Sequence, residues 1–189
     1  LVTLKAQRPL PAAPAVPYPA PEAGDSSALS IVAGFLDRGQ RELALRFPMR
    51  PGPVPAAAYD AAAAAVGREL DGGADVALLC QGDPLFYGSF AGLLMRLAPR
   101  YRVTIVPGVS SPAACAAATA TPLVQRDETL TVIPATLPED ELTRRLAAAE
   151  CAAVVKIGRH LAKLRRVLDR LGLLGAARVL AARAAGEVG

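Results

Sequence analysis

Apolar positions along this chain switch repeatedly between a period of two and a period near 3.6, which predicts strands alternating with helices. Residues 41–47 alternate Leu43, Leu45 and Phe47 with Glu42, Ala44 and Arg46, the pattern of a half-buried strand. Short apolar or β-branched runs at 75–80, 101–106, 128–134, 151–157 and 177–182 are bounded by turn residues, and each predicts a further strand. Helical spacing covers 27–35 with Ser26 and Ser27 as candidate caps, the alanine-rich 56–70 before Gly72-Gly73, and 89–97. It returns at 111–118, opened by Pro112, at 139–149 with acids early and Arg144 and Arg145 late, and at 160–171. Residues 1–6 start a helix. Proline then crowds 9–21, and because it donates no ladder bond this stretch reads as loop or a short edge strand. The alternation predicts α/β architecture. The prolines near Pro122 and Pro134 predict two lobes, 1–124 and 125–189.

Two turns carry the candidate chemistry. Gln81-Gly82-Asp83-Pro84-Leu85-Phe86-Tyr87-Gly88 lies between a predicted strand and a predicted helix, and Pro107-Gly108-Val109-Ser110-Ser111 closes the next strand. Small-residue turns at two strand ends suit a ligand lying across the carboxyl edge of a parallel sheet. Gly82 lets backbone approach a ligand, Pro84 fixes the turn, and Asp83 offers an acceptor to a ribose hydroxyl or an amine. A purely structural turn fits the Gly-Asp-Pro triplet equally well. The G-x-G-x-x-G phosphate cradle is absent, which argues for a ligand without a pyrophosphate.

Composition narrows the partners. With 52% hydrophobic residues in 189 and a mean hydropathy of +0.32, the chain can bury a core. A net charge of +4 and a pI near 9.3 fit an anionic substrate but are too weak to indicate nucleic acid. Cys80, Cys115 and Cys151 are scattered and His160 is the only histidine, so neither a metal site nor a disulfide framework is expected, and a reducing cytoplasm is the simplest setting. No run predicts a membrane span. The chain opens at Leu1 and stops at Gly189, and the protein is expected to extend beyond both ends.

Gly-Asp-Pro-Leu-Phe-Tyr-Gly after a strand, followed by Val-Pro-Gly-Val-Ser-Ser-Pro, resembles the tetrapyrrole (corrin/porphyrin) methyltransferase family. Tyr18-Pro19-Ala20-Pro21, Ile133-Pro134-Ala135-Thr136-Leu137-Pro138-Glu139 and Val155-Lys156-Ile157-Gly158-Arg159 are most similar to its precorrin-2 C(20)-methyltransferase branch. The resemblance implies a two-lobed α/β protein, each lobe a mixed sheet flanked by helices, with S-adenosylmethionine in a cleft between lobes and a homodimer as the working unit. It implies methyl transfer to C-20 of precorrin-2, giving precorrin-3A in cobalamin biosynthesis, or to the cobalt-loaded substrate of the anaerobic route. By position, Gln81, Gly82, Asp83, Phe86, Ser110, Ser111, Ile157 and Ala184 are implied to contact the cofactor. The family's Gly-x-Gly-Pro-Gly-Asp turn, which precedes the run matched by Val2-Thr3-Leu4-Lys5, is not in the chain.

Asp83 and Tyr87 are the candidate acceptors for the proton that C-20 must lose, beside a carboxylate of the substrate itself. Arg50, Arg126 and Arg159 are candidates for the substrate carboxylates, because a guanidinium fork binds carboxylates in pairs. Tyr18 is a candidate for stacking on the substrate edge, with core packing as the alternative. His160 reads as a surface or capping residue, and Cys80 and Cys115 as small buried hydrophobes. Lys163, Arg165, Arg166 and Arg170 read as a solvated helix face. An RNA-methylating branch of the same fold, or a non-catalytic ligand-binding subunit, are the alternative functions, although no aromatic residue interleaves with the basic ones to stack on a single strand.

Overall fold

A computed structural model describes residues 2–48 and 52–178 of the chain. They fall into two compact units, one running up to Ser110 and one starting at Ser111. The expected boundary at Val124 assigned the helix after Ser110 to the first lobe. The contacts assign it to the second.

The first unit is built on β1 (Ala15–Pro21) and β2 (Arg41–Phe47), paired in parallel from Ala15↔Arg41 to Pro21↔Phe47. Around them lie α1 (Leu4–Gln7), α2 (Ser27–Val32, continued by a 3-10 turn at Ala33–Phe35), α3 (Ala56–Asp71) and α4 (Phe90–Leu97). The proline-rich stretch, expected as loop or a short edge strand, supplies a seven-residue strand of a two-stranded sheet that also accepts bonds on its outer side. Arg41 N donates to Pro14 O on one side of β1, while Ala77 N and Leu79 N donate to Ala15 O and Pro17 O on the other, at 3.0 and 2.8 Å. Alternate residues of a parallel strand bond to opposite neighbours. Pro17, Pro19 and Pro21 are spaced by two, so their missing N–H groups all face the 76–79 side and the ladder to β2 is intact.

That half-ladder explains a second difference. The expected strand over 75–80 is reduced to a single bridge, Ala15↔Val76, because β1 accepts bonds there and returns none beyond Ala15. The run over 101–106 likewise forms no strand among the described residues. Val103 and Ile105 nevertheless pack on the core of Leu45, Phe47, Ala62, Val66, Phe90, Leu93 and Leu97 beneath α3 and α4. On the other face Val16 and Leu79 join Leu10 and, from α2, Ala28 and Val32. The period of two thus sends alternate residues to two helical layers. Ser26, of the two candidate caps, holds α2. Its hydroxyl accepts from Leu29 N at 3.3 Å and donates to Pro19 O at 2.6 Å, tying the helix to β1.

The second unit contains α5 (Ser111–Ala118), β3 (Leu130–Pro134), α6 (Glu139–Ala147), β4 (Cys151–Val155) and α7 (Leu161–Arg170), the last entered through a 3-10 turn at Gly158–His160. β3 and β4 are parallel, from Leu130↔Cys151 to Pro134↔Val155, so both strand pairs are parallel where mixed sheets are expected. Ile133, Leu142, Leu146, Leu164 and Val167 form its core. The basic face of α7 is pinned to the protein. Arg166 and Arg170 both reach Glu139 at 2.9 Å in the first turn of α6, and Lys163 donates to Leu137 O. Of the expected strand at 177–182, Ala177 and Arg178 are not in a strand and the rest lies outside the described residues. Among the described residues no helix is long and apolar enough to cross a membrane.

Candidate functional site

The two turns singled out from the sequence meet in the first unit. Gly82 sits at φ +76°, the left-handed region that glycine enters without cost, and reverses the chain after 76–80. Asp83 then uses both carboxylate oxygens. Oδ1 accepts from Leu85 N at 2.9 Å, closing an Asx turn, and Oδ2 accepts from Gly108 N at 2.9 Å. Phe86 N donates to Asp83 O at 3.2 Å and completes the loop.

The Gly108 contact is steric as well as polar. A Cβ at residue 108 would lie 2.2 Å from Gly82 O and 2.9 Å from Gly82 C, so the loops touch backbone to backbone. Gly108 does not adopt a positive φ, hence close approach alone demands glycine there. This contact was missed in the sequence. The Pro-Gly pair signals a turn, but nothing in it signals which backbone the glycine will meet.

Among the described residues the N–H groups of Gly82, Asp83, Val109 and Ser110 have no hydrogen-bond partner. Four donors on two fastened loops, two of them beside glycines, suit a ligand carrying carboxylate, hydroxyl or purine acceptors. Gln81 and Gly82 are exposed, and Phe86 is half-buried, edge-to-face with Tyr87 at 5.0 Å between centroids. Tyr87 is held at φ +55°, a strained position for an aromatic residue, with 45% of its surface exposed. This donor set fits the adenosyl and carboxylate groups of S-adenosylmethionine. Cys80, just before the turn, has its thiol pushed up to about 12 by burial and by the nearby Asp83 charge, so it behaves as a packed apolar group.

The remaining candidates separate. Tyr18 packs against the Leu10, Val16 and Leu79 cluster, the core role weighed for it. Ser110 ends the first unit and Ser111 opens α5 in the second. Ile157 is half-buried against the core of Ile133, Leu142 and Leu164. Arg126 is exposed at φ +48° in a turn closed by Glu128 N on Gln125 O, and it shares an open hollow with Asp127, Glu128 and Glu150. Three acids beside it make that hollow a poor seat for an anion. Arg159 is exposed in the 3-10 turn after β4. Arg50 and Ala184 lie outside the described residues. Lys156, not singled out from the sequence, takes φ +59° directly after β4, and lysine gives no advance signal of such a backbone. Among the described residues no group of three or more His, Cys, Asp and Glu is placed to hold a metal ion.

Comparison with known proteins follows the same lines. The profile of the tetrapyrrole (corrin/porphyrin) methylases matches residues 1–187. The cobalamin biosynthesis protein CobIJ of Mycobacterium tuberculosis is 46% identical over 184 residues, covering 93% of this chain and 36% of that protein. The chain therefore spans about a third of the length of the mycobacterial relatives. The precorrin-2 C(20)-methyltransferase of a Sinorhizobium species is 39% identical, over 92% of this chain and 75% of that protein. The cobalt-precorrin-2 C(20)-methyltransferase of Salmonella typhimurium is 33% identical, over 92% and 74%. Among solved structures, the cobalt precorrin-4 methyltransferase CbiF superposes with a TM-score of 0.67 at 24% identity, over 92% of this chain and 70% of that one. The Thermus thermophilus uroporphyrin-III C-methyl transferase, complexed with S-adenosyl homocysteine, gives 0.61 at 22%, over 91% and 67%. At these identities the structures establish the fold.

Proposed function

The chain belongs to the tetrapyrrole (corrin/porphyrin) methylase family, and from that premise we propose that it is an S-adenosylmethionine-dependent methyltransferase that methylates C-20 of precorrin-2 to give precorrin-3A in cobalamin biosynthesis. The observation that carries this reading is the fastening of the Gly82 and Gly108 loops by Asp83, with the N–H groups of Gly82, Asp83, Val109 and Ser110 beside the clasp free. The relatives at 39% and 33% identity act at the same carbon by name, and the second makes the cobalt-loaded substrate the alternative acceptor. A homodimer in the cytoplasm completes the proposal.

When bound, S-adenosylmethionine supplies an electrophilic methyl on a sulfonium. The chain's task is to hold that methyl in line with an already electron-rich meso carbon, and positioning of this kind can remove about 7–11 kcal/mol from a barrier. In this reading Gly82, Asp83, Val109 and Ser110 bind acceptor atoms through their N–H groups, and Gln81 and Phe86 flank the adenosyl group. Ser111, Ile157 and Ala184 are assigned to the same cofactor by family position. Asp83 already receives two N–H bonds, from Leu85 and Gly108, which make its first duty the placing of both loops. The proton leaving C-20 then passes to Asp83 through a remaining lone pair, to a substrate carboxylate, or through Tyr87, which takes it up while releasing its own phenolic proton to one of those carboxylates or to solvent. Arg159 and Arg50 are assigned to substrate carboxylates, Arg126 less so because of its acidic surroundings. The RNA reading loses its support, since Glu139 and Leu137 O already engage three of the four basic side chains of α7.

The test is transfer of a labelled methyl from S-adenosylmethionine to freshly made precorrin-2, followed by mass and by carbon NMR at the meso position. One methyl at C-20 is expected. Transfer only to the cobalt-loaded ring selects the alternative acceptor, and absence of cofactor binding refutes the enzyme reading.

A further inference from the structure

We propose that the turn following β4, with Lys156 and Arg159 on either side of Gly158 and His160 next to them, is a carboxylate-binding subsite for a polyanionic ring substrate. The inference rests on the reading that the substrate is a tetrapyrrole rich in carboxylates.

Charge accounting in the second unit points to this turn. Arg144 and Arg145 are paired with Glu141, Arg166 and Arg170 with Glu139, Lys163 with Leu137 O, and Arg178 with carbonyls of its own loop. Among the described residues of this unit, only Arg126, Lys156, Arg159 and Arg165 are cations without a partner. Arg126 faces acids, and Arg165 stands alone on an exposed helix position. Lys156 and Arg159 are left, three residues apart on one turn, both exposed.

Position and backbone agree with that accounting. The turn lies at the carboxyl end of a parallel strand pair, the edge at which open α/β sheets bind ligands. Lys156 is at φ +59° and Gly158 at φ +35°, so the chain is bent sharply to present this turn. Asparagine or glycine would relieve Lys156, and a strained non-glycine residue at such an edge points to use of its side chain. Burial first, and then the charges of Lys163 and Arg159, hold the imidazole of His160 below its ordinary value, and no carboxylate opposes them. A carboxylate arriving at Lys156 and Arg159 supplies the missing counter-charge and raises the affinity of His160 for a proton.

His160 is the only histidine in the chain, so its imidazole gives a single reporter resonance in NMR. The probe is uroporphyrin, a stable tetrapyrrole octacarboxylate, titrated by fluorescence while the His160 resonance is followed from pH 5 to 8. The expected result is an upward shift of the His160 titration on binding, with affinity falling roughly tenfold in Lys156→Ala and in Arg159→Ala, as loss of one charge-assisted contact predicts. Arg165→Ala should bind like the parent chain. Lys156→Asn separates binding from folding, because asparagine suits the left-handed backbone and should melt no lower than the parent while still losing affinity. The subsite is overturned if uroporphyrin does not bind, if the two alanine variants bind it unchanged, or if His160 titrates as in the free protein. Binding at this turn without methyl transfer would leave the subsite standing and remove the enzymatic reading. Methyl transfer with an unchanged KM in both variants would do the reverse.

Discussion

Gly108→Ala tests whether the fastened loops form the cofactor site. The added methyl would begin 2.2 Å from Gly82 O and 3.1 Å from Asp83 Cα, both backbone atoms that no rotamer change can clear. Ordinary contact requires the loops to part by more than about 1 Å. That movement carries the 2.9 Å bond from Gly108 N to Asp83 beyond hydrogen-bonding range. Loss of a bond to a charged acceptor costs about 1.5–3 kcal/mol, and overpacking costs about 1–3 kcal/mol before relaxation. Because Asp83 is only half-buried, a combined loss of about 2–4 kcal/mol is the reasonable sum. For a chain of this length that lowers Tm by roughly 5–15 °C. Displacing two of the four donors should also weaken S-adenosylmethionine at least about tenfold, as 1.4 kcal/mol is a factor of ten. Gly82→Ala is the matched control. Its nearest atom, Val109 O, is 3.6 Å away, so only the backbone penalty of about 1–2 kcal/mol applies. Thermal melts with isothermal titration of the cofactor read both effects. A Gly108→Ala protein that melts and binds like the parent would refute the argument.

Three further outcomes follow from the packing and the charges. Gly92→Ala in α4 places a Cβ 2.5 Å from the Tyr59 ring, itself packed on Phe47 at 5.3 Å, and should destabilise by about 1–3 kcal/mol in urea titrations. Glu141 is held from an ordinary 4.5 down to about 2 by hydrogen bonds from Arg144 and Arg145. Its contribution is therefore whole above about pH 4.5 and is lost as the pH falls toward 2. The stability gap between the parent and Glu141→Gln should close on acidification, and a gap that widens would contradict the pairing. Cys80, at about 12, should resist iodoacetamide at pH 8 in the folded protein, as followed by mass spectrometry, and react on unfolding.

Much of the fold was legible because local chemistry and tertiary need agree. β2 and α5 occupy the spans that alternation and the Pro112 signal predict, and Ser26 caps α2 as a serine before an apolar run should. The sequence misled where a rule was applied without its direction. Proline bars a strand from the interior only if the missing donors face both neighbours. Pro17, Pro19 and Pro21 remove donors from one side alone, so β1 pairs fully with β2 and the run at 75–80 loses its ladder instead. The site was half legible. Gly82 and Asp83 stand out as turn residues, whereas the second partner of Asp83 lies 25 positions away and no local pattern could place it.

These two departures from expectation have one consequence for function. A segment bonded to β1 mainly as a donor is weakly held by the sheet, yet it leads directly into the loop proposed to bind the cofactor. Its position is set instead by side-chain packing of Val76 and Leu78 beneath α3 and α4, and by the clasp from Asp83 to Gly108. The loop is thus fixed from the next loop rather than from its own strand. A ligand that bonds the free N–H groups of both loops would add to that clasp, and a ligand at a hundredfold its Kd stabilises the folded state by about 2.7 kcal/mol. If the cofactor binds there as proposed, its binding and the order of the segment from 76 to 110 are two faces of one equilibrium. Asp83 matters first as the residue that couples them, ahead of any part it takes in moving a proton.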